Sequence, residues 1–253
     1  MSRSSQSLSM ELVPLILGAI VLEGNGKSMQ QEIRTISLPM PLRMGSVNCY
    51  LIRSNANYFL IDTGSANGRQ GLVRELESAG CQPGQLSLIV LTHGDFDHTG
   101  NAAYLRHAFG GKIAMHPDDS GMVERGDMFV NRRRPSIIIR MLIPVFSRFA
   151  TSELFAPDLL VQDGDDFSGY GFDARVISIP GHSKGSIGIL TAGASLFCGD
   201  LLENRVKPVL NSLTDDLAAA NSSVQKLRTM GLGVVYPGHG SPFPMQLMAE
   251  GGV

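Results

Sequence analysis

The 253-residue sequence predicts an α/β protein in which short strands alternate with helices. Three observations carry that expectation. Several β-branched or aromatic runs of strand length are bounded by Pro, Gly or Asn, intervening segments place apolar residues at helical spacing, and one wholly apolar run ends on a dense polar cluster.

Ile33–Leu38, Val47–Arg53 and Tyr58–Ile61 read as an opening antiparallel sheet. After the turn Asp62-Thr63-Gly64-Ser65, Leu72, Val73, Leu76 and Ala79 mark a helix over Gly71–Ala79, which Gly80 stops. The apolar run Leu86–Leu91 has the length of a buried strand and leads directly to His93. Asn101–Phe109 follows as a helix closed by Gly110-Gly111, and Lys112–Met115 as a strand. From 118 to 160 the alternation gives way to a helical insertion with Arg132-Arg133-Arg134 and the apolar stretch Ile137–Phe149, interrupted by Pro144. That stretch folds over the site as a substrate cap or packs into the core. Ala174–Ile179, Ser186–Thr191 and Ser195–Cys198 are then strands, Leu213–Met230 is a helix, and Val234–Tyr236 is a last strand.

The bulk composition is that of a soluble globular chain, with 43% hydrophobic and 17% charged residues. A formal net charge of -2 gives no overall attraction to polyanions, so no nucleic-acid partner is expected. Cys49, Cys81 and Cys198 are dispersed and odd in number, which suits reduced, buried thiols better than a disulfide framework. Residues 1–29 form an N-terminal extension or a weak signal-like segment, and 30–253 the folded domain. Leu12–Leu22 is apolar but about half the roughly 20 residues a spanning helix requires. Arg3 precedes it, yet Val21-Leu22-Glu23 offers no small-x-small cleavage site, and Met29 is an alternative start. A cytoplasmic location without a transmembrane span is expected, with export the alternative if the apolar segment is a signal. Composition says nothing of oligomeric state.

The chemistry is concentrated in Thr92-His93-Gly94-Asp95-Phe96-Asp97-His98, four potential ligands within six positions. Imidazole and carboxylate both ligate divalent metals, and so polar a loop at the end of a buried strand is better explained by metal binding than by a solvated turn. His107 and His116 stand apart from it as surface or hydrogen-bonded residues.

From roughly Ile33 to His239 the chain resembles the metallo-β-lactamase superfamily, whose loop is usually H-x-H-x-D-H. His182 in Pro180-Gly181-His182-Ser183, Asp200 in Cys198-Gly199-Asp200 and His239 in Pro237-Gly238-His239-Gly240 continue the match in order. The resemblance implies a four-layer αββα sandwich, here with a longer stretch between His98 and His182 than compact members carry. It also implies two divalent metal ions. His93, Asp95 and His182 would hold one, Asp97, His98 and His239 the other, and Asp200 both. Asp62 resembles the family's structural aspartate, which orients the metal loop.

Asp95 stands where histidine is usual. Its charge hardens that position, which opens manganese or iron as alternatives, with zinc still favoured. Ser183 and Ser186 read as supporting loop residues, Lys184 as solvated or an anion contact. The three arginines read as a solvated charge run of which one member could meet an anionic substrate.

A bridging hydroxide is the implied nucleophile, because coordination lowers the pKa of water from about 15.7 to roughly 7. Asp97 and Asp200 orient it. The expected function is metal-dependent hydrolysis of a small ester, thioester or lactone. A glutathione thioester is disfavoured, because the chain ends soon after His239 without the extra helical domain of glyoxalase II enzymes. The alternative is an iron-dependent oxidoreductase of the same superfamily, resembling persulfide dioxygenases, which Asp95 keeps open. A regulatory protein with a vestigial site would lack ligands, and here every position is filled.

Overall fold

The computed structural model describes residues 31–40, 45–132 and 153–248. The expected insertion centre Ile137–Phe149, two of the three arginines and the N-terminal segment lie outside the described residues.

The first sheet runs β1 (Gln31–Pro39), β2 (Ser46–Ser54), β3 (Asn57–Ile61), β4 (Leu86–Val90), β5 (Lys112–Met115) and β6 (Leu159–Leu160), in that spatial order. Its opening hairpins are antiparallel, and the pairings from β3 to β6 are parallel. The change of sense follows the connections. A parallel pair needs a crossover, which α1 (Arg69–Ser78) supplies between β3 and β4, and α2 (Phe96–Thr99) with α3 (Ala102–Phe109) between β4 and β5.

The second sheet is built from β7 (Ala174–Ser178), β8 (Ile187–Thr191), β9 (Leu196–Asn204), β11 (Val234–Gly240) and β12 (Phe243–Pro244), with β10 (Val209–Leu210) pairing β9. The helix α5 (Leu217–Arg228) makes the parallel crossover from β9 to β11.

Strand alternation makes the layers. Tyr50, Ile52, Phe59, Ile61, Leu88 and Val90 point to the partner sheet, where they pack on Val176, Ile187, Ile189 and Phe197. Their neighbours Cys49, Leu51, Leu60 and Ile89 point the other way, onto Leu72 and Leu76 of α1, Leu105 of α3 and Val123. The second sheet does the same, turning Ile177, Leu190, Leu196 and Val235 toward Ala220, Val224 and Leu227 of α5. Three apolar interfaces therefore separate four layers in αββα order. Each large side chain fully buried here contributes about 1.5–3 kcal/mol relative to exposure.

The interval expected as an insertion is bounded by elements of these layers. It opens with α4 (Pro117–Arg125), which His116 caps by accepting from the Asp118 N–H at 3.2 Å and Gly126 ends in the left-handed region at φ +67°. It closes on β6, beside the buried Phe155.

Three further boundaries differ from expectation. The strand expected to end at Cys198 continues as β9 to Asn204, and β11 runs on to Gly240. The last helix begins only at Leu217, because Asp216 caps it by accepting from the Ala219 N–H at 3.0 Å.

Candidate metal centre

All seven residues expected as ligands meet at one end of the two sheets, and all are buried. The first sheet supplies His93, Asp95, Asp97 and His98, on the loop and short helix that follow β4. His182 comes from the loop between β7 and β8, Asp200 from within β9, and His239 from within β11. The sheets are tied together here by Asn48, whose side-chain amide donates to the carbonyl of Gly240 at 2.7 Å and to that of Pro237 at 3.1 Å. The Tyr50 hydroxyl donates to the same Pro237 carbonyl at 2.5 Å. These bonds fix the strand that carries His239.

The ligand atoms fall into three groups whose members lie within 4.8 Å of one another: His93, Asp95 and His182; Asp97, His98 and His239; and His93, His98 and Asp200. The third joins the other two. His182 Nε2 lies 3.0 Å and His93 Nε2 3.6 Å from Asp95 Oδ2. His239 Nε2 lies 3.5 Å from Asp97 Oδ2 and 3.3 Å from Asp200 Oδ2, and His98 Nε2 lies 3.2 Å from Asp200 Oδ1. Ligands bound tetrahedrally at about 2.0–2.2 Å are roughly 3.3–3.6 Å apart, so these spacings suit shared cations.

Hydrogen bonding supports the fit. His93 Nε2, His98 Nε2 and Asp200 Oδ1 are buried with no aligned hydrogen-bond partner. Buried polar atoms are ordinarily satisfied, so three convergent orphans call for a ligand. The other ring nitrogens are all engaged. Nδ1 of His93 meets the Thr92 hydroxyl at 2.9 Å, that of His98 meets Asp62 at 2.8 Å, and that of His239 meets the Ser46 carbonyl at 2.7 Å. Nδ1 of His182 meets the Leu213 carbonyl. Each imidazole is thereby held with Nε2 facing the centre.

Asp62 acts on the loop as expected. Its carboxylate accepts from the backbone N–H and the hydroxyl of Thr92, both at 2.8 Å, as well as from His98. Gly238 is required by crowding, since a Cβ there would overlap Asp200 Oδ1 and lie 2.7 Å from His98 Cε1.

Opposite charges hold one another in this cluster. Burial alone would raise the Asp200 carboxyl, but the charges of His98 and His239 hold it well below the usual range. Burial would lower His239, but Asp200 and the hydrogen bonds of Asp200 and Asp97 push it up to about 10. Burial likewise opposes ionisation of Asp95, yet contacts from His182 and His93 and the charge of Arg132 keep it well below its ordinary value.

Two residues matter more than the sequence suggested. Arg132 is no solvated arginine. Its side chain is 7% exposed, with Nη1 2.5 Å from Asp95 Oδ1 and Nε 2.9 Å from Asp215 Oδ2. Asp119 is fully buried and accepts from the Gly94 N–H at 3.0 Å, the Gly185 N–H at 2.8 Å and the Ser183 hydroxyl at 2.6 Å, joining the two ligand loops. Ser183 and Ser186 are supporting loop residues, 2.7 Å apart through their hydroxyls, and exposed Lys184 reaches Asp118 at 3.5 Å.

An αββα sandwich with a buried histidine–aspartate cluster where its two sheets meet defines a metal-site α/β class. The chain belongs to the metallo-beta-lactamase superfamily, whose sequence profile matches residues 42–239. It is 29% identical over 176 residues to the acyl-coenzyme A thioesterase MBLAC2 of Bos taurus, a match covering 62% of this chain and 60% of that protein. It is 29% identical over 165 residues to the hydroxyacylglutathione hydrolase GloC of Haemophilus influenzae, covering 64% of this chain and 70% of the relative. Among solved structures, the metallo-beta-lactamase family protein TTHA1429 of Thermus thermophilus superposes with a TM-score of 0.68 at 22% identity, covering 85% of this chain and 76% of that one. TTHA1623 in a di-iron-bound form gives 0.63 at 26% identity, covering 83% and 95%. Both curated relatives carry the names of hydrolases. Among the described residues no helix is long and apolar enough to cross a membrane.

Proposed function

We propose that this protein is a binuclear metallohydrolase that cleaves a small thioester. The observation that carries the reading is the convergence of His93 Nε2, His98 Nε2 and Asp200 Oδ1, buried and unsatisfied, between two further ligand pairs. His93, Asp95 and His182 would hold one ion and Asp97, His98 and His239 the other, with Asp200 close to His98 and His239. Bound there, two divalent ions supply an activated hydroxide at neutral pH and an electrophilic centre for the acyl oxygen. Asp97 and Asp200 orient the attacking oxygen.

The state of the carboxylates narrows the leaving group. As metal ligands Asp95 and Asp200 would be ionised, so neither would deliver a proton near pH 7. A thiolate, the conjugate base of a group with pKa about 8.5, departs without such help far more readily than an alkoxide. The named activities of the two relatives point the same way, and the hydroxyacylglutathione hydrolase returns a glutathione thioester to the candidates. The loop that holds His182 through the Leu213 carbonyl also presents the Leu213 side chain, 74% exposed, and nearby Leu217, 51% exposed. They suit the apolar part of an acyl group.

The test is elemental analysis of gently purified protein, with zinc-, manganese- and iron-reconstituted forms assayed on acyl-coenzyme A, acylglutathione, ester and lactone panels. Near two ions per chain with metal-dependent release of a thiol is the expected result. Asp95 and the 26%-identical di-iron structure favour one rival. One iron per chain, oxygen consumption and no hydrolysis would establish the oxidoreductase instead.

A further inference from the structure

Each histidine at the centre is divided between two tasks, with Nε2 turned inward and Nδ1 fastened to a neighbour. Asp95 is divided in the same way. Its Oδ2 faces His182 at 3.0 Å and His93 at 3.6 Å, while its Oδ1 is taken by Arg132 at 2.5 Å. Arg132 is in turn ion-paired with Asp215, whose Oδ2 lies 2.9 Å from its Nε without hydrogen-bond alignment. Asp215 belongs to the loop whose Leu213 carbonyl fastens His182. One loop therefore positions two of the three side chains in this group, one of them through a guanidinium.

The charges balance as well. Replacing a neutral imidazole by a carboxylate at position 95 adds one negative charge to the pair on Asp97 and Asp200. Arginine remains charged at any working pH and adds one positive charge at contact distance. Buried at contact distance, Arg132 sets a positive charge against the added negative one, with Asp215 on its other side.

We propose that Arg132 is the positioning residue that makes Asp95 serve as a metal ligand where the family motif has histidine. It ties down Oδ1, leaves Oδ2 as the single donor and offsets part of the added charge, so Asp95 and Arg132 together replace one imidazole. This rests on the assignment of His93, Asp95 and His182 to a metal. It follows that Arg132 is needed only while residue 95 is aspartate.

Four full-length proteins test this: wild type, R132M, D95H and D95H/R132M. Each is titrated with zinc against a chromophoric chelator, loaded with cobalt(II) for its visible spectrum, and melted without metal. R132M should keep one ion and bind the other about 10–100-fold more weakly, the range seen when a ligand's supporting partner is removed. D95H should also bind that ion poorly, because Nη1 of Arg132 then loses its acceptor beside the ion and Asp215 is left as the one carboxylate at contact distance among the described residues. D95H/R132M should return to within about threefold of wild type and give a two-site cobalt spectrum, a non-additive repair.

R132M binding two ions like wild type, or a double variant as weak as the product of the single losses, would overturn the proposal. If R132M fails to fold, a folded, metal-binding double variant still supports it, and a double variant that also fails to fold overturns it. Wild-type protein that takes up no zinc would instead sink the metal-site assignment, and this inference with it.

Discussion

Asp62 Oδ2 lies 2.8 Å from Nδ1 of His98, and the Asp62 backbone adopts the left-handed conformation, φ +58°, to put it there. Few non-glycine residues hold that conformation, and one that does so directly after a strand has been bent to aim its side chain. A carboxylate only accepts, so Nδ1 carries the proton and Nε2 presents a lone pair. Asp62→Ala should therefore weaken binding at the Asp97, His98 and His239 position about 10–100-fold, read by chelator competition. Unchanged affinity would show that His98 is oriented by packing alone.

Removing a ligand should be more severe. Asp200→Ala or His182→Ala should abolish turnover and lower the bound metal, with a far-ultraviolet circular dichroism spectrum like that of wild type. Wild-type turnover in either variant would refute the site assignment.

Acidity offers an independent check on the metal-free protein. His239 is raised from its ordinary 6.5 to about 10 by Asp200. A raised histidine stabilises the fold fully below pH 6.5, and that contribution disappears as pH climbs toward 10. Chelator-treated protein should thus melt at progressively lower temperature between pH 6.5 and 10, and His239→Gln should lessen the trend, His98 and His182 being raised as well. Zinc affinity should move oppositely, rising with pH as protons cease to compete for imidazole. A flat melting profile in the metal-free wild type would contradict the pairing.

The cysteines should be silent. Burial pushes the Cys81 thiol up to about 11 and the Cys198 thiol up to about 12, and raises Cys49 well above its usual value. A disulfide reagent at about pH 8 should label none of the three in folded protein and all three after denaturation. Rapid labelling of the native state would mean that a core layer opens readily.

The first half of the fold was legible because its strands are long enough to show a period. Tyr58, Phe59, Leu60 and Ile61 send alternate side chains to two different apolar layers, and a continuously apolar run is the consequence. β6, β10 and β12, at two residues each, are too short to carry a pattern. α4 was hidden inside an expected insertion, although Pro117, the acidic pair Asp118-Asp119 and Gly126 are local signals for its ends.

The ligand cluster was legible from spacing and order, because four of its members share one loop. Arg132 was not. It sits in a run of three arginines, and only a partner 37 positions earlier, Asp95, with Asp215 far downstream, draws it out of solvent. Long-range pairing of that kind leaves no mark on local composition. Asp119 escaped for the same reason, since its three donors come from two distant loops.

The placement of the ligands on two separate sheets has a consequence for quality control of the folded chain. His93 through His98 belong to one sheet, while His182, Asp200 and His239 belong to the other. Neither sheet alone supplies any of the three close groups found among the described residues, so on the proposed assignment a cation would draw ligands from both sheets at once. Bound metal would then report that the two sheets have docked.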